Sequence, residues 1–126
     1  TVMATHSCRF SGYDLINALQ NNHLHHGDYN IYHRYKYKNG KGPLYFSVAS
    51  VVDPGTLNPK DLANISTPGI VLFLPTNTPK HDRIVFKHAL ATAHNLAKTL
   101  GGIVCNDKRI PLTDQSMKDY ESRLNL

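Results

Sequence analysis

Three stretches of the chain carry apolar residues at strand spacing on both of their faces. In Gly27–Arg34, alternation sets Tyr29, Ile31 and His33 on one side and Asn30, Tyr32 and Arg34 on the other. Leu44–Val52 and Ile70–Leu74 show the same two-sided character. A sheet built from such strands is either covered on both sides or keeps one side open for a partner. The pattern predicts a strand from about Tyr29 to Tyr37, a turn at Asn39-Gly40 suited to positive φ, and an antiparallel return as Leu44–Val52. Asp53-Pro54-Gly55 ends that return, Pro59–Leu62 reads as a loop or a single helical turn, and Pro75 stops the Ile70–Leu74 strand.

Helical spacing appears three times. Ser11 is placed to cap a helix whose apolar stripe is Leu15, Ile16 and Leu19, broken at Asn21-Asn22-His23. Phe86, Leu90, Ala93, Ala97 and Leu100 mark the strongest helix, terminated by Gly101-Gly102. Ile103–Asn106 and Ile110–Leu112 read as a short hairpin around Asp107-Lys108, and Thr113 caps a last helix carrying Met117, Tyr120 and Leu124. The order of elements is that of an α+β domain, an antiparallel sheet with helices on one face.

Side-chain size decides which sheet face the helices cover. Phe46, Val48, Ile70, Leu72 and Leu74 are bulky and suit the core, where a fully buried side chain is worth about 1.5–3 kcal/mol. The opposite set is Tyr29, Ile31, Ser47, Ala49, Val51, Val71 and Phe73, a mixture of small floor residues and larger walls. Three helices do not cover both faces of such a sheet, so this set is expected to form a shallow apolar groove open to a partner.

Length and charge narrow the picture only a little. At 126 residues and 40% hydrophobic, one domain with one core is expected. The formal net charge of +5 is spread without a long basic run and argues only weakly for an acidic partner. Cys8 and Cys105 lack metal or redox spacing and read as free thiols in a reducing compartment. No stretch approaches a membrane helix, and no signal-peptide pattern is present. Thr1–Ala4 looks like the tail of a strand, which points to an excised piece of a larger protein with its first strand truncated.

Candidate chemistry is thin. His23, His25 and His26 read as a solvated polar turn, without a carboxylate or cysteine at ligand spacing. His81, His88 and His94 fall on the long helix as a polar face, and His33-Arg34 lacks a nucleophile or acidic partner. No catalytic residue, metal or cofactor is therefore assigned. A rival reading is an RNA-binding sheet, with Tyr29, Tyr35, Tyr37, Tyr45 and Phe73 as a stacking platform near Lys36, Lys38 and Lys41. It lacks the aromatic signature of the common RNA-binding sheets, and its tyrosines are equally explained by pairing across the hairpin.

Six ordered blocks resemble a known family. They are Gly27–Arg34, Gly42-Pro43 with Phe46–Ala49, Pro54–Thr56, Thr67–Gly69, Gly101–Val104 and Asp119-Tyr120. Together they are similar to the C-terminal domain of the ZipA family of bacterial cell-division proteins, over nearly the whole chain. The resemblance implies a six-stranded antiparallel sheet with three helices on one face. It also implies a groove that takes the C-terminal tail peptide of FtsZ, at positions falling here on Tyr29, Ile31, Ala49, Val51, Asp53, Phe73 and Arg109. Asp53 stands where a lysine is often found, and the family's first strand is expected to contribute groove residues upstream of Thr1. The parent of such a domain carries an N-terminal membrane helix and a long linker. The resemblance thus implies a non-catalytic tether that holds FtsZ polymers on the cytoplasmic side of the inner membrane at the division septum.

Overall fold

A computed structural model describes residues 1–5, 8–75, 82–106 and 108–113. Among these described residues, eight strands and two α-helices form an α+β domain. Strands β1 (Val2–Ala4), β3 (His25–Gly27), β4 (Ile31–Tyr35), β5 (Leu44–Ser50), β7 (Gly69–Phe73) and β8 (Gly102–Val104) make one sheet in the order β3-β4-β5-β7-β1-β8. Every neighbouring pair in it is antiparallel. Two short strands, β2 (Phe10–Ser11) and β6 (Ser66–Thr67), pair separately.

The helices start and stop where their sequences dictate. Ser11 is extended and its hydroxyl accepts from the Asp14 N–H at 3.2 Å, opening α1 (Gly12–Asn21). Leu15, Ile16, Ala18 and Leu19 turn inward. In α2 (Asp82–Leu100) the buried stripe is Val85, Ala89, Ala93, Leu96 and Ala97, flanked by half-buried Leu90 and Leu100. Gly101, at φ +74, ends it in the left-handed conformation that closes helices most cheaply at glycine.

Both helices lie on one face of the sheet. Val2, Phe46, Val48, Ile70 and Val104 from the strands form one buried cluster with Leu15, Leu19, Ala89, Ala93 and Leu96 from the helices. The register puts Tyr32, Val48 and Leu72 in one row across β4, β5 and β7, so Tyr32 joins this covered side. Burial raises the pKa of its phenol, with the Gln20 side chain opposing.

Several expectations are revised. Tyr29 does not begin a strand: Asp28–Asn30 is a 3-10 turn with Tyr29 at φ 61 and ψ 13, and β4 starts at Ile31. His25 and His26 are not in a polar loop but in β3, paired with His33 and Tyr32. Thr1–Ala4, read as the tail of a strand, contains β1, an interior strand whose Val2 and Met3 pair with both β7 and β8. A bridge between Cys105 and Pro111 continues the expected short hairpin, while the expected helix through Met117, Tyr120 and Leu124 lies outside the described residues. Cys8 is exposed and Cys105 buried; both are free, and burial pushes the Cys105 thiol up.

Gly12 gives a sign test of the packing. Alanine normally favours a helix over glycine by up to about 1 kcal/mol. A Cβ on Gly12, however, would sit 2.8 Å from the Ile65 Cβ and nearer still to the Leu62 carbonyl oxygen, while the Gly12 N–H donates to Ile65 O at 2.9 Å. Gly12→Ala is therefore expected to lower the urea midpoint, by about 1–3 kcal/mol of overpacking; an unchanged or raised midpoint contradicts this packing.

Candidate functional site

The face of the sheet opposite the helices is built from the residues that alternate with the core. One row across it is His25, His33, Ser47 and Phe73. In the next, Gly27 faces Ile31 and Ala49 faces Val71, Ile31 and Ala49 each lying one step along from the Tyr32–Val48 pair. Beyond it the Val51 N–H donates to Gly69 O at 3.1 Å, Gly69 faces Met3, and Met3 faces Ile103. β7 is interior to the sheet, yet Phe73 is 45% exposed. Phe73 faces away from the helices and is half-exposed, so no described element covers this face there. Ser47, Ala49 and Gly69 make the floor around it low.

Met3 shapes one end of the face. A Cβ on Gly69 would lie 2.9 Å from Val2 O and closer still to the Met3 sulfur, so the thioether rests on the space that glycine leaves. Met3 and Ile103, the latter exposed, are face residues that the sequence pattern does not single out. Their strands are too short, at three residues each, to display an alternation. β1 thus supplies a side chain to the face from within the described residues.

At the opposite end, His33 is the buried polar anchor. It is 6% exposed, and its Nε2–H donates to the Asp28 carbonyl at 2.9 Å. That assignment leaves Nδ1 of the neutral ring to accept from the Ser47 hydroxyl, 2.8 Å away. The bonded turn holds Tyr29 and Asn30 at φ 61 and φ 58. A left-handed backbone costs a residue with a Cβ about 1–2 kcal/mol. Tyr29 is nonetheless 88% exposed, so its own side chain gains little from burial. Ile31, next in the chain, is 8% exposed and forms floor rather than wall.

The charged candidates stand apart from these rows. Asp53 is exposed in the loop after β5 and lines a cavity of about 180 Å³ with Thr56, Asn58 and Asp61. Arg109 is exposed at φ 62 in the turn beyond β8, two strands across from Phe73. A second cavity, about 160 Å³ and lined by Leu72, Phe86 and Leu90, opens on the helix side. Near β3, His23 is held below the usual histidine range by what water it loses and by the charges of Lys38, Arg34 and His25. No group of three side chains fit to hold a metal occurs among the described residues, and no described helix is long and apolar enough to cross a membrane.

The His33 anchor is testable by stability. Ser47→Ala removes a partner from a buried ring nitrogen, which costs about 1–3 kcal/mol when nothing replaces it. A lower denaturation midpoint is expected, and an unchanged one contradicts the bond.

Residues 1–123 match the family model described as ZipA, C-terminal FtsZ-binding domain. The chain is 40% identical over 121 residues to the cell division protein ZipA of Hamiltonella defensa, covering 95% of this chain and 44% of that protein. It is 40% identical over 120 residues to that of Aliivibrio fischeri (95% and 36%) and 34% identical over 123 residues to that of Marinobacter nauticus (98% and 36%). The chain spans less than half the length of these relatives. With the α+β fold and the uncovered face in hand, the match is decisive: the chain belongs to the ZipA family, and corresponds to its C-terminal FtsZ-binding domain rather than to an enzyme.

Proposed function

We propose that the uncovered face binds the C-terminal tail peptide of FtsZ. In this reading Tyr29, Ile31, Ala49, Val51 and Phe73 form the apolar surface, with Asp53 and Arg109 at its rim. The observation that carries it is Phe73, half-exposed on an interior strand above a floor of small residues. An aromatic anchor beside low neighbours offers an extended or helical peptide a place to seat its own apolar side chains. The longer parent then tethers FtsZ polymers on the cytoplasmic side of the inner membrane during septum formation. Many tethered copies meeting many tails supply avidity that one shallow site lacks.

The RNA-binding alternative finds no support in where the aromatics lie. The register passes from Arg34–Phe46 to Tyr35–Leu44, leaving Tyr45 as the extra residue of a bulge, and its ring packs against His88 of α2 at 5.3 Å. Tyr35 leans on His33, and Tyr37 sits in the hairpin loop under the Lys36 ammonium. These rings do not share one platform.

Phe73→Ala is expected to weaken binding of a synthetic FtsZ tail peptide by about 2 kcal/mol or more, as for a central anchor, while leaving the circular dichroism spectrum intact. Raising salt from low to moderate should change the parent affinity only a few-fold. An unaltered affinity in the variant removes the anchor, and a thousand-fold salt loss replaces the apolar face with a phosphate-binding one.

The rim separates more finely. Arg109→Ala should weaken tail binding by about 0.5–1 kcal/mol, the range for a solvated ion pair, and the loss should shrink with salt. Asp53→Lys should strengthen binding to a tail with acidic residues. If Asp53→Lys weakens binding, or neither variant responds to salt, charge at this rim does not read the tail.

A further inference from the structure

We propose that His33 is a positioning residue for recognition: held in the sheet, it locks the Asp28–Asn30 turn so that the Tyr29 ring is presented ready-made at the end of the uncovered face. The proposal rests on the reading that this face binds the FtsZ tail. It goes beyond that reading by assigning a task to a buried side chain the peptide need not touch.

The turn is fastened at three points. His33 Nε2–H donates to Asp28 O at 2.9 Å, the Leu57 N–H donates to Asn30 O at 2.8 Å, and the His26 ring bonds the Asn30 side-chain oxygen. Between the first two fastenings stand two successive residues with a Cβ in the left-handed region, Tyr29 and Asn30. Strain of that kind persists only where surrounding structure over-determines it. Here the strained residue is also the most exposed large apolar side chain among those described, at 88%. A fold with no use for that ring would gain from relaxing the turn or from placing glycine there.

His33 is fixed from both sides. Its Nδ1 meets the Ser47 hydroxyl at 2.8 Å, and Ser47 is directly opposite Phe73 on β7. A Cβ on Gly27 would fall 3.3 Å from His33 Cδ2, so the ring lies against the space that glycine leaves. The brace runs from the row that holds Phe73, through His33, to the turn that holds Tyr29. A peptide that touches both aromatic rings meets them at a preset spacing, and binding then avoids the cost of ordering the turn.

The test is a double-mutant cycle on affinity for a synthetic peptide carrying the C-terminal tail of FtsZ. Tyr29→Ala is expected to weaken binding about tenfold and His33→Leu about five-fold. In the Tyr29→Ala background, His33→Leu should cost less than about twofold further, because its effect passes through Tyr29. In a Phe73→Ala background it should still cost its full factor. His33→Gln, which keeps an amide donor for Asp28 O, should bind within about twofold of the parent. Equal losses from His33→Leu with and without Tyr29 overturn the positioning role, since a general structural role would give that result.

A measurement on the unmutated protein covers the case in which His33→Leu fails to fold. The Asp28–Asn30 amides of the peptide-free protein should show the order parameters of rigid backbone, about 0.85. Values below about 0.6 that rise only on peptide addition overturn pre-organisation. The failures are distinguishable: if the peptide does not bind, or Tyr29→Ala and Phe73→Ala both bind as the parent does, the tail-binding face itself is wrong. If those two variants weaken binding and His33→Leu does not, only the positioning role falls.

Discussion

The side-chain period of two is the constraint from which the rest of this domain follows. On β5 and β7, Val48 and Leu72 face each other toward the helices, so Ser47, Ala49, Val71 and Phe73 must face the other way. The described α-helices lie on one side, and their buried stripes are used up there. No described element covers Phe73 in this way. A one-residue slip of β7 would turn Phe73 inward, but it would also turn Ile70 and Leu72 out of the core. Burying each of those is worth about 1.5–3 kcal/mol, so the core holds the register and the register holds the face open.

The sheet edges are less suited to recognition than the face. β3 and β8 are the two edges, and each is three residues long. β3 also carries two histidines and ends in Gly27. Edges this short give little template for adding a strand from another chain. Among the described residues, the side chains on the uncovered face are better placed to meet a partner than the strand edges are. In the proposed role, apolar contacts rather than ladder hydrogen bonds carry the affinity, and Asp53 and Arg109 act mainly on orientation and encounter rate.

Much of this was legible in the sequence because the signals were local. Ser11 caps, Gly101 terminates, Gly40 adopts φ +87 in the hairpin loop, and the core set Phe46, Val48 and Ile70 is fully buried. Pattern reading failed where a tertiary bond overrode it. Tyr29 alternates correctly with Ile31 and His33, yet the His33–Asp28 bond and the left-handed pair turn it out of the strand. His25 and His26 carry no strand signal, and pairing with β4 alone makes them β3. Met3 and Ile103 reach the face through contacts about a hundred residues apart in sequence, in strands of three residues whose period cannot be seen. Tyr45, which the rival stacking platform needs on the open face, packs against α2 for a related reason: a bulge adds one residue and resets the alternation at that point.

A shallow face of this kind sets the character of the interaction that it can make. Its floor of Ser47, Ala49 and Gly69 gives a peptide area to cover but no deep pocket, and Phe73 rises from it as a half-exposed ring. Association with a free peptide must offset the loss of the peptide's own freedom, so limited burial leaves a modest net affinity. Two features of the fold reduce that cost without enlarging the site. In the positioning role proposed for His33, the strained turn is ordered before the peptide arrives, so its entropy is lost on folding rather than on binding. The parent's tether, in the proposed role, converts all but the first contact with a polymer into intramolecular events at high effective concentration. Weak single contacts then let individual tails exchange while the polymer as a whole stays held. A deep, tight pocket would forfeit that exchange, and for this reason an open face is the better solution for gripping a dynamic filament.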